Sequence, residues 1–206
     1  MDKLEHGKAR AGKITGTMAH TVMYSGQKAW DTLIKQLWTD DGTEFAEAVY
    51  GARAHGHVYE PVGAAKFWDR HPEYDHEDPK YDDYSGPIRE FRGRLGYSPD
   101  RILKIDGLRV AGLEVKSPTT EDKIADHIVA GDPRGNKHFS QCQHCLLSSG
   151  LNHWYQVVHF EDQYFEYRYD IDRVWRERYI TRLREFISQL DGAAPKPKRK
   201  LRITDL

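Results

Sequence analysis

The chain has 206 residues, 38% hydrophobic and 31% charged, with a formal net charge of −1. That length supports one domain with a real core and the composition excludes a disordered chain; the near-neutral balance excludes a passive coater of polyanions, though not an enzyme with a locally basic groove. No apolar run is long enough to cross a bilayer, Met1–Glu5 lacks an apolar signal region, and the two cysteines, Cys142 and Cys145, give no disulfide framework, so a reducing cytoplasm is expected.

In chain order, Ile14 to Met23 fits a short helix after Thr15. Trp30, Leu33, Ile34, Leu37 and Trp38 recur at helical spacing, and Asp40-Asp41-Gly42 ends that run. Glu44 to Trp68 is helical in period, with a kink or break expected at Pro61. His71 to Pro87 is acidic, tyrosine-rich and proline-punctuated, a solvated surface loop without EF-hand order. Ile88–Gly96, Arg101–Ile105 and Arg109–Lys116 read as strands, the last two joined by an Asp106-Gly107 hairpin turn. Thr119 to Val129 reads as a helix capped by Thr119 or Thr120, and Asp132-Pro133-Arg134-Gly135 as a turn. Phe139 to Ser149 is a helix stopped by Gly150. His153–Phe160 and Tyr164–Tyr169 are strands about a Glu161-Asp162-Gln163 turn, and Ile171 to Leu190 is a long amphipathic helix. The expected architecture is α/β, a central mixed β-sheet flanked by helices, in one domain over 1–191. Residues 192–206 read as a basic tail, serving as a nucleic-acid arm or as a solubilising extension.

The chemistry concentrates at Ser98-Pro99-Asp100 and Glu114-Val115-Lys116, spaced S-P-D-x13-E-V-K. Side chains at i and i+2 of a strand share a face, so Glu114 and Lys116 emerge together while Val115 turns into a core. Asp100, arriving from a neighbouring strand or turn, can meet them. Two carboxylates at one point repel unless a divalent cation joins them. A magnesium site beside a lysine is therefore expected. His138, Cys142, His144 and Cys145 include a C-x-x-C step, but no second such step or H-x-x-x-H exists; packed thiols on a helix are the better reading than zinc. The five tryptophans, Trp30, Trp38, Trp68, Trp154 and Trp175, are expected in the core.

Further motifs carry a resemblance. Lys8 to Thr17 reads K-A-R-A-G-K-I-T-G-T, Gly56-His57-Val58-Tyr59-Glu60 places a glutamate in a Gly- and Tyr-containing helix, and Gln141-Cys142-Gln143 is a Q-x-Q pair. With S-P-D and E-V-K these stand in the order of the phage lambda-type alkaline exonucleases, within the PD-(D/E)xK superfamily of restriction-endonuclease-like fold. The chain resembles that family from about Lys8 to Phe160. Two departures are Thr17 for a serine, which keeps the hydroxyl, and Arg101 for the glycine after S-P-D.

The resemblance implies a Mg²⁺-dependent 5′→3′ exonuclease on linear double-stranded DNA, with Mn²⁺ able to substitute. Two ions per site are expected, Asp100 bridging, Glu114 and the Val115 carbonyl completing one shell, Glu60 serving the second ion. Lys116 would hold the attacking water or stabilise the phosphorane-like charge, and Gln143, with Gln141 beside it, would orient Lys116 or the phosphate. Arg10, Thr17 and Ser98 would hold the terminal 5′-phosphate, and Arg101 would lie near the DNA backbone. The resemblance further implies a homotrimeric ring, a single-strand annealing protein as partner, and a phage or prophage origin in a bacterial cytoplasm. The alternatives are a structure-specific or restriction-type endonuclease of the same fold, or a non-catalytic DNA-binding subunit.

Overall fold

The computed structural model describes residues 3–40, 52–78, 82–83, 86, 88–128 and 131–193. Helices α1 (Lys3–Arg10), α2 (Ala19–Tyr24), α3 (Gln27–Thr39) and α4 (Ala52–Arg70) lead into strands β1 (Asp75–Glu77), β2 (Asp82–Asp83), β3 (Gly96–Tyr97), β4 (Arg101–Ile105) and β5 (Leu108–Lys116). Helix α5 (Lys137–Ser149), strands β6 (His153–Phe160) and β7 (Gln163–Asp170), and helix α6 (Arg173–Gly192) follow.

Five strands form one sheet in the order β1-β4-β5-β6-β7, with β5 and β6 parallel and every other pair antiparallel. The β4–β5 turn takes the form its sequence predicts. Asp106 and Gly107 both have positive φ, 51° and 77°, the mirror-image turn that suits strand twist. The parallel β5–β6 step needs a crossover, and α5 supplies it. Asn136 caps α5 by accepting from the His138 and Phe139 N–H groups, and Gly150 ends it at φ 73°.

Each face of the sheet has its own core. Ala111, Leu113 and Val115 of β5 pack with Ala64 and Phe67 of α4 and with Tyr155 and Val157 of β6. On the other face Trp154 joins residues of α2, α3, α5 and α6, among them Trp30, Leu146, Trp175 and Phe186. Strand alternation assigns Gly112, Glu114 and Lys116 to this second face, and Gly112 does lie under the Trp154 indole.

Several boundaries differ from expectation. Ile88–Gly96 is not a continuous strand: Arg89–Phe91 makes a 3₁₀ turn and Gly93 takes φ 72°, and the strand here is Gly96–Tyr97. The acidic segment after His71 holds β1 and β2. β1 is a polar edge strand that pairs with β4 through its backbone, so no apolar alternation announces it. Pro61 does not break α4, which runs through it from Ala52 to Arg70. Gly63, Ala64 and Phe67, just beyond the proline, are buried against the sheet. Glu121–Asp126 is a 3₁₀ helix in which Thr120, at the N-cap, makes no side-chain capping bond. Helix α6 continues past Asp191 to Gly192. Residues 41–51, Val129 and the basic tail from 194 onward lie outside the described residues. Trp38 is exposed, its Nε1–H donating to the Leu190 carbonyl, whereas Trp30, Trp154 and Trp175 are buried.

Candidate active site

β5 ends at the site. Glu114 is only 4% exposed, and one of its oxygens, Oε1, accepts from Lys116 Nζ at 2.5 Å. The other, Oε2, is buried with no hydrogen-bond partner among the described residues. Asp100 sits across from this pair: its N–H donates to the Leu113 carbonyl at 3.0 Å, and its Oδ2 accepts from the Val115 N–H at 2.6 Å. The S-P-D turn is thus fastened to β5 at both ends of one residue. Burial, then the neighbouring Glu114 and Glu60, push the Asp100 carboxyl well above the usual carboxylate range. Burial pulls the Lys116 pKa down, but Glu114 and Asp100 outweigh it and the ammonium is held protonated.

Glu60 reaches the rim from α4, one turn before Gly63. A Cβ on Gly63 would meet Val115 Cγ1 at 2.7 Å, so this glycine lets α4 approach β5 closely. Glu60 does not complete a carboxylate trio. Its Oε1 accepts from the Arg101 guanidinium at 2.8 Å, and the same Arg101 nitrogen donates to the Asp100 carbonyl at 2.5 Å. No three His, Cys, Asp or Glu side chains among the described residues converge into a ready-made metal cage. The acids nevertheless fit a hard divalent cation: two mutually repelling carboxylates, one buried oxygen without a partner, and an all-oxygen donor set.

The phosphate candidates assemble from two chain segments. Ile14 bridges Leu95 in parallel, donating to the Arg94 carbonyl and accepting from the Gly96 N–H, which brings the start of the Gly16–Met18 3₁₀ turn beside Gly96 and the Ser98 segment. Arg10 Nη2 donates to Thr15 Oγ1 at 3.4 Å, and Thr15 Oγ1 lies 3.3 Å from Thr17 Oγ1. Thr15, 3% exposed, was not anticipated, although it belongs to the same K-I-T-G-T run; it links Arg10 to the exposed Thr17. The buried Cys145 thiol feels Glu114, Lys116, Asp100 and Arg10 together, so the arginine lies within electrostatic reach of the groups around the acids.

Helix α5 closes the site from above. A Cβ on Gly16 would meet Gln141 Cγ at 2.9 Å and Cys145 Sγ at 3.2 Å, so Gln141 packs directly against the hydroxyl-bearing turn. Gln143 is a correction. Its Nε2 donates to the Asp170 carbonyl at 2.7 Å and its Oε1 accepts from the Asp172 N–H at 3.0 Å. Asp170 pairs with His153, at the end of β6 away from Val158, the partner of Lys116. Residues two apart on a helix point about 200° apart, so Gln141 and Gln143 cannot serve one site. Cys142 and Cys145 are buried free thiols pushed up by burial. Both ring nitrogens of His144 are engaged, by the Tyr179 hydroxyl at 2.8 Å and the Gly96 carbonyl at 3.0 Å. The C-x-x-C helix thus places both thiols and the His144 ring in the packed interior.

A histidine pair also lies within electrostatic reach of Lys116. His127 Nδ1 lies 2.8 Å from His138 Nε2. Burial, then Lys137 and Lys116, lower His127 to about 4; burial, then Lys116, lower His138 to about 2. Both are neutral at physiological pH and add no charge to the site. His138 stands in the sequence only beside the C-x-x-C step, and no motif marks His127.

The mixed sheet with flanking helices and an acid–lysine rim defines a PD-(D/E)xK nuclease-type fold. The sequence profile of the YqaJ-like viral recombinase domain matches residues 5–152, and the chain belongs to that family. No curated protein sequence matches it significantly. Among solved structures, an alkaline exonuclease (LHK-Exo) from Laribacter hongkongensis is similar at TM-score 0.71 and 19% identity, over 91% of this chain and 92% of that one. The same exonuclease in complex with dAMP gives 0.72 at the same identity and coverage. A phage-related exonuclease from Haemophilus somnus 129PT gives 0.61 at 8% identity, over 87% of this chain and 94% of that one. At such identities these likenesses establish the fold. Among the described residues no helix is long and apolar enough to cross a membrane.

Proposed function

We propose that the chain is a Mg²⁺-dependent 5′→3′ exonuclease on linear double-stranded DNA, releasing 5′ mononucleotides and leaving a 3′ single strand for phage-type recombination. The observation that carries this reading is the Glu114–Lys116 pair on one face of β5 with Asp100 fastened opposite it. Asp100, Glu114 and the Val115 carbonyl would hold Mg²⁺ or Mn²⁺. When bound, such an ion neutralises phosphate charge and lowers the pKa of a coordinated water.

The remaining steps belong to the side chains. Glu114 and Asp100 hold Lys116 as an ammonium, which donates hydrogen bonds. Its ammonium can orient a water's lone pair toward phosphorus and offset the charge that grows on the phosphate oxygens. Arg10, Thr17 and Ser98 would offer a guanidinium and two hydroxyls to a terminal 5′-phosphate, with the buried Thr15 hydroxyl tying Arg10 to Thr17, which matches the bidentate preference of arginine for phosphate. Anchoring that end would set the next phosphodiester at the acids. The dAMP complex of a structurally similar exonuclease supports a mononucleotide at this fold's site. A homotrimeric ring around DNA would supply processivity to a chain of net charge −1, and an annealing protein would receive the 3′ strand.

The test is digestion of 5′-phosphorylated linear duplex and of covalently closed circles, each with Mg²⁺ and with chelator. Metal-dependent loss of the linear form with intact circles is expected. Cutting of circles would favour the endonuclease, and no digestion of either would leave the DNA-binding subunit.

A further inference from the structure

Arg101 occupies an unusual place on the rim. It pairs across the hairpin with Leu113, so it lies on the α4 face of the sheet, the opposite side from Asp100 and Glu114. From there its guanidinium holds Glu60 at 2.8 Å and the Asp100 carbonyl at 2.5 Å. The pair is largely shielded, at 15% exposure for the Arg101 side chain and 20% for Glu60. A charge-assisted contact of this kind, away from bulk water, is far less screened than a surface ion pair.

A divalent ion on Glu60 would have to displace that guanidinium and then tolerate it nearby. Arginine cannot relieve the conflict by losing its proton. Glu114 is paired with Lys116 through Oε1, but its Oε2 is buried with no partner among the described residues and the Asp100 carboxylate stands beside it. The two candidate ion positions are therefore unequal: one sets two carboxylates against a single ammonium, the other a single carboxylate against a guanidinium.

We infer that Arg101 takes the place of a second metal ion. Each chain then holds a single tight divalent cation, on Asp100, Glu114 and the Val115 carbonyl, and the fixed guanidinium beside Glu60 supplies the other positive charge. This rests on the metal-dependent nuclease reading, and it replaces the two-ion expectation that the family resemblance carries.

The experiment counts ions directly. Mn²⁺ is titrated into the full-length protein, with free Mn²⁺ read by electron paramagnetic resonance and heats read by calorimetry. The wild type should bind one ion per chain. Arg101→Ala should bind two, as Glu60 is released, and Arg101→Gln, which keeps a donor but no charge, should gain at least part of the second site. Glu60→Gln in the wild-type background should leave the count at one, and Glu60→Gln combined with Arg101→Ala should return it from two to one. Two tight ions in the wild type, or one ion in both Arg101 variants, would overturn the inference while leaving the nuclease reading intact. No ion in any folded variant would remove both, since the acids themselves would then hold no metal.

Discussion

Asp100→Asn should make the metal-free protein more stable while abolishing cleavage. Burial, then the crowding of Glu114 and Glu60, raise the Asp100 carboxyl well above the usual value near 3.8. A carboxylic acid whose folded pKa lies above its unfolded pKa binds more protons in the native state between the two values. Stability therefore falls as pH rises from about 4 through the folded pKa, and stays low above it. Every tenfold gain in the carboxyl's proton affinity on folding corresponds to about 1.4 kcal/mol. The carboxyl stays raised even though Lys116 and the Val115 N–H both favour its charged form. Asparagine retains a carbonyl oxygen for that N–H, so the bond at 2.6 Å survives the substitution. In EDTA at pH 8, Asp100→Asn should raise the unfolding free energy by on the order of 1–3 kcal/mol. In urea titrations the midpoint should rise with the slope unchanged, and the gap should close as the buffer approaches pH 4. Saturating Mg²⁺ should invert the order, because a ligand at 100 times its Kd stabilises the wild type by about 2.7 kcal/mol and the variant by less. An Asp100→Asn protein no more stable than wild type at pH 8 in EDTA would refute the claim that these acids repel in the folded state.

Lys116→Met should retain the fold and lose cleavage by about 10²-fold or more, the scale of losing one aimed donor to a developing oxyanion; folding is checked by circular dichroism and rate by release of acid-soluble nucleotide. Arg10→Ala should erase any preference for 5′-phosphorylated over 5′-hydroxyl ends, measured as the ratio of initial rates on paired substrates; an unchanged ratio removes Arg10 from the end-binding group. Gly112→Ala would drive a Cβ into the fully buried Trp154 ring, well inside van der Waals contact. Rigid overpacking of this kind costs about 1–3 kcal/mol or more, so a lower urea midpoint is expected, partly restored by Trp154→Leu. The depressed His127 and His138, whose ordinary value is 6.5, bind fewer protons folded than unfolded. Their share of the stability should therefore fall as pH drops below 6.5 toward about 4, opposite in sign to that of Asp100, so the midpoint of Asp100→Asn, which lacks the opposing carboxyl, should be lower at pH 5 than at pH 7.

Much of the frame is legible because strand and helix periods expose it. The i, i+2 rule places Glu114 with Lys116 and turns Val115 to the other core, and the structure has that split. Asp106-Gly107 specifies its hairpin through backbone conformation alone. What escaped were features with no local period. β1 is polar because an edge strand contributes backbone bonds rather than a buried face. Gln143 stands in a Q-x-Q motif beside Gln141, yet helical geometry sends the two side chains apart, and only the turn at Asp170–Asp172 reveals where Gln143 is used. The Arg101–Glu60 pair joins residues 41 positions apart, and neither residue type alone announces a partner.

Three glycines explain how so short a chain brings four segments to one rim. Gly63 lets α4 press on Val115, Gly16 lets the hydroxyl turn press on Gln141 and Cys145, and Gly112 gives β5 room for the Trp154 ring. Each contact is closer than any side chain would permit. Glu60 belongs to the first close approach, Thr15 and Thr17 to the second, and Glu114 sits one alternation beyond the third. A methyl at any of the three would force the neighbouring element outward by tenths of an ångström. Positioned chemistry is sensitive to displacements near that size, since a misplacement of about 1 Å can cost about 10²-fold in rate. The acids and lysine that would do the chemistry are thus held by residues with no chemistry of their own, and the site's dimensions depend on the absence of three side chains as much as on the presence of Asp100, Glu114 and Lys116.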